Sequence, residues 1–355
     1  MTSFLPKIQN EIQKNCAVIL ENPSNRLYIT GFDTSDGAVI ILKNKVYFLV
    51  DFRYYEAAKS TVTGCEIVLC ERLLESVKTV LCENQIKTVF LENNYISMAR
   101  LEYYRKQIST VEFSNDDFAD RLLEKYREVK SQNEIAKIKA AQKMTDRTFE
   151  YILGRIEKGR TEIDIMLDME FYMRKLGSEG VSFPFIVVSG KNSSLPHGVP
   201  TNKPIENGDF VTMDFGAVVD GYRSDMTRTV AVGQPSQKQI SVYNTVLEAQ
   251  NKAFEVIKKG AVCSDVDKAA RDYIYGSGFK GCFGHALGHG VGIDIHEEPV
   301  FSLRCNKILQ PGEVITVEPG IYIEKEFGVR IEDMVAVTDD GCENLTASPK
   351  NLIIL

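Results

Sequence analysis

The stretch from Asp209 to Gly233, DFVTMDFGAVVDGYRSDMTRTVAVG, sets the hardest condition on the fold. Its apolar and β-branched residues read as two strands. Asp220-Gly221 marks a hairpin between them, because Asp and Gly tolerate the positive φ of a tight turn. Asp214 and Asp225 then stand in the middle of apolar strands. With the loop centred between Val219 and Asp220 the two are directly opposed, their Cα atoms roughly 4.5–5.5 Å apart. Moving the centre by one residue makes them diagonal neighbours. Like charges opposed across a ladder destabilise a sheet, so the pattern calls for a cation between them. Taken alone, two aspartates read equally well as solvated residues on a polar face, since carboxylates are mostly exposed.

The C-terminal part of the chain repeats the arrangement. Glu318 and Glu332 flank a turn centred near Lys325, within the apolar runs GEVITVEPGIYI and GVRIEDMVAV. A symmetric fold of that segment sets them opposite each other. Four pooled carboxylates are unfavourable in one buried site unless cations bind there. All four histidines of the chain, His197, His285, His289 and His296, lie in glycine-rich loops around these hairpins. Any one of them reads as a structural imidazole, but packing does not explain all four together. Carboxylate oxygens plus an imidazole suit a pair of divalent first-row ions. The oxygen-rich set leans towards Mn(2+), with Co(2+), Zn(2+) and Fe(2+) also fitting.

A chain of 355 residues has room for about two domains and for a sizeable core without staples. Its net charge of −7, with no basic tract, argues against nucleic acid as a partner. No apolar run approaches the ~18–20 residues of a membrane span, and MTSFLPKIQNEIQKN lacks the apolar centre of a signal peptide. The expectation is a cytoplasmic protein with no membrane contact. The eight cysteines are scattered, with no C-x-x-C pair, which argues against a disulfide framework or a thiolate zinc site.

Residues 1–120 alternate strand-like and helix-like pieces, the pattern of a small α/β domain. Strands are expected at Ala17–Leu20, at Gly37–Leu42 and Val46–Val50 as a hairpin, and at Cys65–Leu69, Lys87–Leu91 and Thr110–Phe113. No catalytic constellation falls among them. Ser114-Asn-Asp-Asp117 is a polar break with capping residues, near which the boundary is set. The second domain, 121–355, enters through a long helical stretch from about Asp117 to Ile156. A helix from about Thr161 to Leu176 stops at Gly177. Helices are also expected at about Gln237–Lys258 and Ser264–Tyr275, with strands and loops making up the rest.

The motifs SGKNSSLPHG, MDFGAVVDGYRSDMTRT, GHGVGIDIHEEP, VEPGIY and GVRIED together resemble the pita-bread metallopeptidases. Within these they are most similar to the Xaa-Pro aminopeptidase and Xaa-Pro dipeptidase (prolidase) branch. The likeness covers about residues 125–355, and SNRLYITGF with the strands after it resembles that branch's non-catalytic, creatinase-like N-terminal domain. The resemblance implies an α/β N-terminal domain plus an α+β pita-bread catalytic domain, two metal ions and a homodimer. Carried over position by position, it implies Asp214, Asp225, His289, Glu318 and Glu332 as metal ligands. It implies catalytic roles for His197, His296, Glu318 and His285, and substrate contacts for Phe183, Tyr322 and Arg330.

The expected activity is hydrolysis of the Xaa-Pro bond at the N-terminus of proline-containing peptides, with a prolidase acting on dipeptides as the alternative. A metal-free creatinase-like hydrolase and a non-catalytic module on the same fold are the rivals. Both lose ligand positions, whereas all five are present here. Gly288-His-Gly-Val-Gly292 meets no phosphate-loop or dinucleotide fingerprint, His296-Glu-Glu-Pro299 is not H-E-x-x-H, and Ser193-Ser194 lacks a nucleophile elbow.

Overall fold

The computed structural model describes residues 4–355; residues 1–3, the start of the N-terminal stretch read above, lie outside them. The chain divides into two units, Met1–Arg127 and Glu128–Leu355.

The first unit is built on a six-stranded sheet in the order β4-β3-β2-β1-β5-β6. Its strands are β1 (Cys16–Leu20), β2 (Ala38–Leu42), β3 (Val46–Val50), β4 (Glu66–Leu69), β5 (Thr88–Leu91) and β6 (Glu112–Phe113). The runs AVIIL and VYFLV are apolar without alternation because β2 and β3 are buried throughout. Helices α1 (Leu5–Glu11), α2 (Pro23–Thr30), α3 (Phe52–Thr61), α4 (Leu73–Glu83), α5 (Met98–Gln107) and α6 (Phe118–Glu128) complete it. Val77, Val80 and Leu81 of α4 and Tyr104 of α5 pack on the sheet in one core.

The helical stretch expected from Asp117 to Ile156 is two helices. After α6 the chain straightens, and α7 (Gln132–Leu153) begins at a capping box between Ser131 and Glu134. Two interactions, one local and one long-range, break the helix. The Ser131 side chain caps the new N-terminus, and the Lys130 backbone N–H donates to the Gly312 carbonyl at 3.0 Å. Lys130 is itself buried, its ammonium 3.0 Å from Glu297 Oε2.

Helix α8 (Glu162–Lys175) also starts at a capping box, and Gly177 follows with φ 102°, a left-handed position that ends it. Strands β7 (Ile186–Ser189) and β8 (Phe210–Phe215) come next, then the short pair β9 (Val218–Val219) and β10 (Tyr222–Arg223), then β11 (Met226–Ala231). Helices α9 (Gln237–Val256) and α10 (Cys263–Gly276) pack together on a core that includes Val246, Ala249, Val266 and Ala270. The remaining strands are β12 (Gly288–Gly290), β13 (Glu297–Phe301), β14 (Val314–Val317), β15 (Gly320–Ile323), β16 (Phe327–Arg330), β17 (Asp333–Val337) and β18 (Cys342–Asn344). They form a three-stranded sheet, β11-β8-β7, a five-stranded sheet, β13-β12-β14-β17-β18, and two-stranded pairs β10-β9 and β15-β16. No helix among the described residues is long and apolar enough to cross a membrane.

The first hairpin takes the diagonal register, not the opposed one. Asp214 pairs with Thr227, so Asp225 lies two residues away along the strand. The turn is the Asp220-Gly221 pair itself, with φ 48° and 75°, and Tyr222 faces Val219. Both turn residues are left-handed, as a tight two-residue hairpin requires. That centres the loop one residue later than direct opposition needs.

Arg228 fastens this hairpin to the other carboxylate strands. Its side chain is 1% exposed, and its guanidinium donates to the carbonyls of Thr227, Glu332, Ser348 and Pro349 and to Asp333 Oδ1 at 2.7 Å. Asp333 also meets Lys350 at 2.9 Å. Removing one member of such a buried network costs about 3–5 kcal/mol. Arg228→Ala is expected to lower unfolding free energy by that order, read by urea denaturation. Arg228→Lys is expected to restore little, because three donors on a point charge cannot replace a five-donor fork. Full rescue by lysine would contradict this account.

Candidate metal centre

The carboxylates sit where ladders end. Asp214 is near the end of β8, and Asp225 directly precedes β11. Val317 of β14 pairs with Asp333 of β17, while Gly320 of β15 pairs with Arg330 of β16. Glu318 and Glu332 stand in the interruption between those two ladders, in the register that sets them across from each other. Lys325, with φ 63°, turns the hairpin as its position in the sequence requires. Freed from ladder pairing, the two glutamates can face a common point.

His289 is brought to that point by close strand approach. A Cβ on Gly288 would lie 1.9 Å from the Thr316 carbonyl, and one on Gly290 would lie 2.4 Å from the Glu298 carbonyl. Only glycine on both sides lets β13 and β14 close on β12. His289 Nδ1 is 3.1 Å from the Gly290 carbonyl, which can only accept, so Nδ1 carries the proton. The Nε2 lone pair then points at Glu318 Oε1, 3.5 Å away, and Asp225 Oδ2, 3.6 Å away. Ligand atoms of Asp225, His289 and Glu332 all lie within 4.8 Å of one another.

The electrostatics are unfavourable without a cation. Burial, then the neighbouring carboxylates Glu332, Asp214 and Glu318, push the Asp225 pKa well above the carboxylate range. Burial, then Glu318 and Asp214, do the same to Glu332. Burial raises Glu318 to about 8, opposed by Arg330 and reinforced by Asp214. Burial holds His289 at about 4, so its imidazole is neutral near pH 7. Asp214 Oδ1 and Asp225 Oδ1 are buried with no hydrogen-bond partner. A neutral nitrogen lone pair aimed at carboxylate oxygens, with two orphaned oxygens beside it, fits divalent cations and no arrangement of protein donors present.

Around this set runs a hydrogen-bonded frame. Arg330 Nη2 holds Asp214 Oδ2 at 2.7 Å, Nη1 donates to the Tyr322 hydroxyl at 2.8 Å, and Nε donates to Thr227 Oγ1 at 3.0 Å. Thr227 Oγ1 donates in turn to Glu332 Oε2 at 2.6 Å. His285 Nδ1 is 2.8 Å from the Ala286 carbonyl, which fixes its proton there, so the Tyr322 hydroxyl donates to Nε2 at 3.0 Å. Both nitrogens of His285 are therefore committed to the frame. Sequence reasoning missed Thr227. The signal was the alternation Asp225, Thr227, Thr229, which marks one face of β11, a face buried throughout.

The two exposed histidines are less tightly set. His296 packs edge-on against His289, ring centroids 4.4 Å apart. Its loop is tied by Arg223, whose N–H donates to the Gly292 carbonyl at 2.8 Å and whose Nε donates to Ile293 at 2.8 Å. Arg223 also holds the carbonyl of Ser182, directly before half-buried Phe183. His197 lies in an exposed loop, near enough for its charge to lower the pKa values of His285 and His296, in each case after burial. The preceding carbonyl, Pro196, accepts from Arg330 Nη1 at 3.2 Å.

Residues 136–339 match the model of metallopeptidase family M24, and residues 10–129 match that of the creatinase/prolidase N-terminal domain. The chain is 42% identical to the uncharacterized peptidase YqhT of Bacillus subtilis (strain 168), over 95% of each chain. It superposes on a solved Xaa-Pro dipeptidase from Bacillus anthracis with a TM-score of 0.95 and 41% identity, covering 99% of both chains. An X-Pro aminopeptidase structure from Thermotoga maritima MSB8 gives a TM-score of 0.92 at 35% identity, covering 98% of this chain and 100% of that one.

Clustered charge and metal binding should be separable by calorimetry. A cation at 100 times its Kd stabilises by about 2.7 kcal/mol. Metal-free protein is expected to gain several degrees in Tm on adding Mn(2+). Asp225→Asn is expected to abolish that gain while raising the metal-free stability, because it removes a buried charge from beside Glu332, Asp214 and Glu318. An unchanged metal response in the variant would show that Asp225 is not part of the centre.

Proposed function

We propose a function from an established premise: the chain belongs to metallopeptidase family M24, and its relatives include Xaa-Pro dipeptidases and aminopeptidases. The reading is a dinuclear exopeptidase that hydrolyses the bond before proline at the N-terminus of peptides, an Xaa-Pro aminopeptidase. The observation that carries it is the neutral His289 lone pair aimed into buried carboxylates with orphaned oxygens. Asp214, Asp225, His289, Glu318 and Glu332 would hold the ions, with manganese favoured by the oxygen-rich set. When bound, such ions polarise a scissile carbonyl and lower the pKa of water towards neutrality.

The protein's own residues do the rest. Glu318 doubles as a ligand and as the proton carrier between the attacking water and the leaving nitrogen. His197 and His296 donate to the oxygen that gains charge in the tetrahedral intermediate, or to the departing proline nitrogen. His285, with both ring nitrogens engaged, serves as a wall of the pocket and holds Tyr322. Arg330 keeps Asp214 in place and adds the one positive charge of the frame. An Xaa-Pro bond has a tertiary amide with no N–H to offer, so the site must recognise the ring by shape. Phe183 is assigned to that contact, supported by the Arg223 link from Ser182 to the loop of His296. The N-terminal unit, with no catalytic constellation, is assigned a non-catalytic role. A cytoplasmic homodimer completes the reading.

A second reading, an Xaa-Pro dipeptidase, is favoured by several comparisons whose names are Xaa-Pro dipeptidase or prolidase, among them the solved structure with a TM-score of 0.95. Turnover of an Xaa-Pro dipeptide beside an Xaa-Pro-containing pentapeptide separates the two. Faster pentapeptide cleavage supports the aminopeptidase, and cleavage of the dipeptide alone supports the prolidase.

The site assignments are tested with three variants. His289→Ala is expected to lower metal content. His197→Ala and His296→Ala are each expected to keep the metal and to lose about 10²–10³ in kcat, the usual cost of one donor to a developing oxyanion. Xaa-Ala peptides are expected to be cleaved much more slowly than Xaa-Pro. Metal loss in His197→Ala, or equal turnover of both peptides, would overturn the assignment.

A further inference from the structure

Glu162, the first residue of α8, is 0% exposed, and its contacts are donors from neutral groups. Oε1 accepts from the Ser189 N–H at 2.6 Å, from Ser189 Oγ at 2.9 Å and from Asn192 Nδ2 at 3.1 Å. Oε2 accepts from the Thr201 N–H at 3.0 Å, from Thr201 Oγ1 at 2.7 Å and from Asn192 Nδ2 at 3.3 Å. Lys203 Nζ stands one hydrogen bond further out, donating to Ser189 Oγ at 3.0 Å. Burying a carboxylate whose direct donors are all neutral is an expensive way to gain stability alone, since desolvation opposes every bond made. The contacts share one geometric result. They grip a single segment at its start, Ser189, and at its end, Thr201.

Between those grips lie a short 3-10 turn, Gly190–Ser194, and then His197. Ser193 Oγ accepts from the Gly328 N–H at 2.9 Å, and Pro196 accepts from Arg330, so the middle of the segment rests on β16. The outward side chains carry no such tie: Leu195 is 56% exposed and Val199 is 76% exposed. The imidazole of His197 thus depends on where its backbone is held.

We propose that Glu162 is a positioning residue of the hydrolytic reaction, pinning both ends of the 189–201 segment and thereby setting His197 at the metal centre. This rests on the role given to His197 under Proposed function. The chemistry of the grip singles out a carboxylate. An acid anion accepts at both oxygens, whereas a glutamine amide puts an NH2 against either the Ser189 or the Thr201 N–H whichever way it faces.

The test is a double-mutant cycle on metal-loaded protein with an Xaa-Pro peptide, together with tryptic cleavage after Lys191 in the same segment. Glu162→Gln is expected to lower kcat by about 10- to 100-fold with metal content unchanged, and to do so by less than about threefold in the His197→Ala background. Tryptic cleavage after Lys191 is expected to accelerate by about tenfold or more at temperatures well below the Tm, as the segment opens locally. Equal losses of kcat in both backgrounds would overturn the proposal. Should His197→Ala keep full kcat, the role of His197 fails on its own, and an unchanged tryptic rate in Glu162→Gln would overturn the pinning as well. Thr201→Val removes one donor and leaves Glu162 in place. It is expected to shift both readouts in the same direction by less, and it supplies them if Glu162→Gln does not fold.

Discussion

Four carboxylates and one guanidinium share a region from which water is largely excluded, and most of the catalytic unit is arranged around that imbalance. With Asp214, Asp225, Glu318 and Glu332 ionised and Arg330 charged, the formal sum is 4 negative minus 1 positive, a net −3. One divalent ion leaves the pocket negative; two make it slightly positive. The polypeptide alone cannot satisfy the set, because its donors are already spent: Arg330 on Asp214, Tyr322 and Thr227, and Thr227 on Glu332. The surrounding structure must therefore be stiff enough to hold repelling groups together. Arg228, with its guanidinium shared among four carbonyls and Asp333, is one place where that stiffness resides.

Much of this was legible in the sequence, for a physical reason. Charged residues inside apolar, β-branched runs violate the ordinary strand pattern, and violations of local rules concentrate at functional sites. Asp214, Asp225, Glu318 and Glu332 all stood out in that way, and the hairpin turn around Lys325 set Glu318 across from Glu332 correctly. The Asp220-Gly221 turn was also visible, but the sequence left its centre open by one residue. That single step decides between opposed and diagonal aspartates. The diagonal form separates the two charges along the strand and gives the opposing place to Thr227, whose hydroxyl then serves Glu332.

What remained hidden are contacts that depend on long-range folding. One cause of the break between α6 and α7 is the pairing of Lys130 with Gly312, nearly two hundred residues away in sequence, which no helical periodicity reports; the other, the Ser131–Glu134 capping box, does stand in the sequence as S-x-x-E. The glycines beside His289 were seen as a glycine-rich loop. Their role is steric, however, admitting the backbones of two neighbouring strands. Glu162 carried no signal at all. It reads as an acidic residue in the first turn of a capped helix, which the helix dipole alone would explain. Only the folded loop shows that its carboxylate is turned inward.

That inward turn has a consequence for how such a protein can diversify. The 189–201 segment is fixed at its two ends and along its inner side, while Leu195 and Val199 project outward. Substitutions at those two positions leave the grips and the carboxylate frame untouched. Sequence can therefore drift at these exposed side chains while the buried carboxylate arrangement is inherited intact.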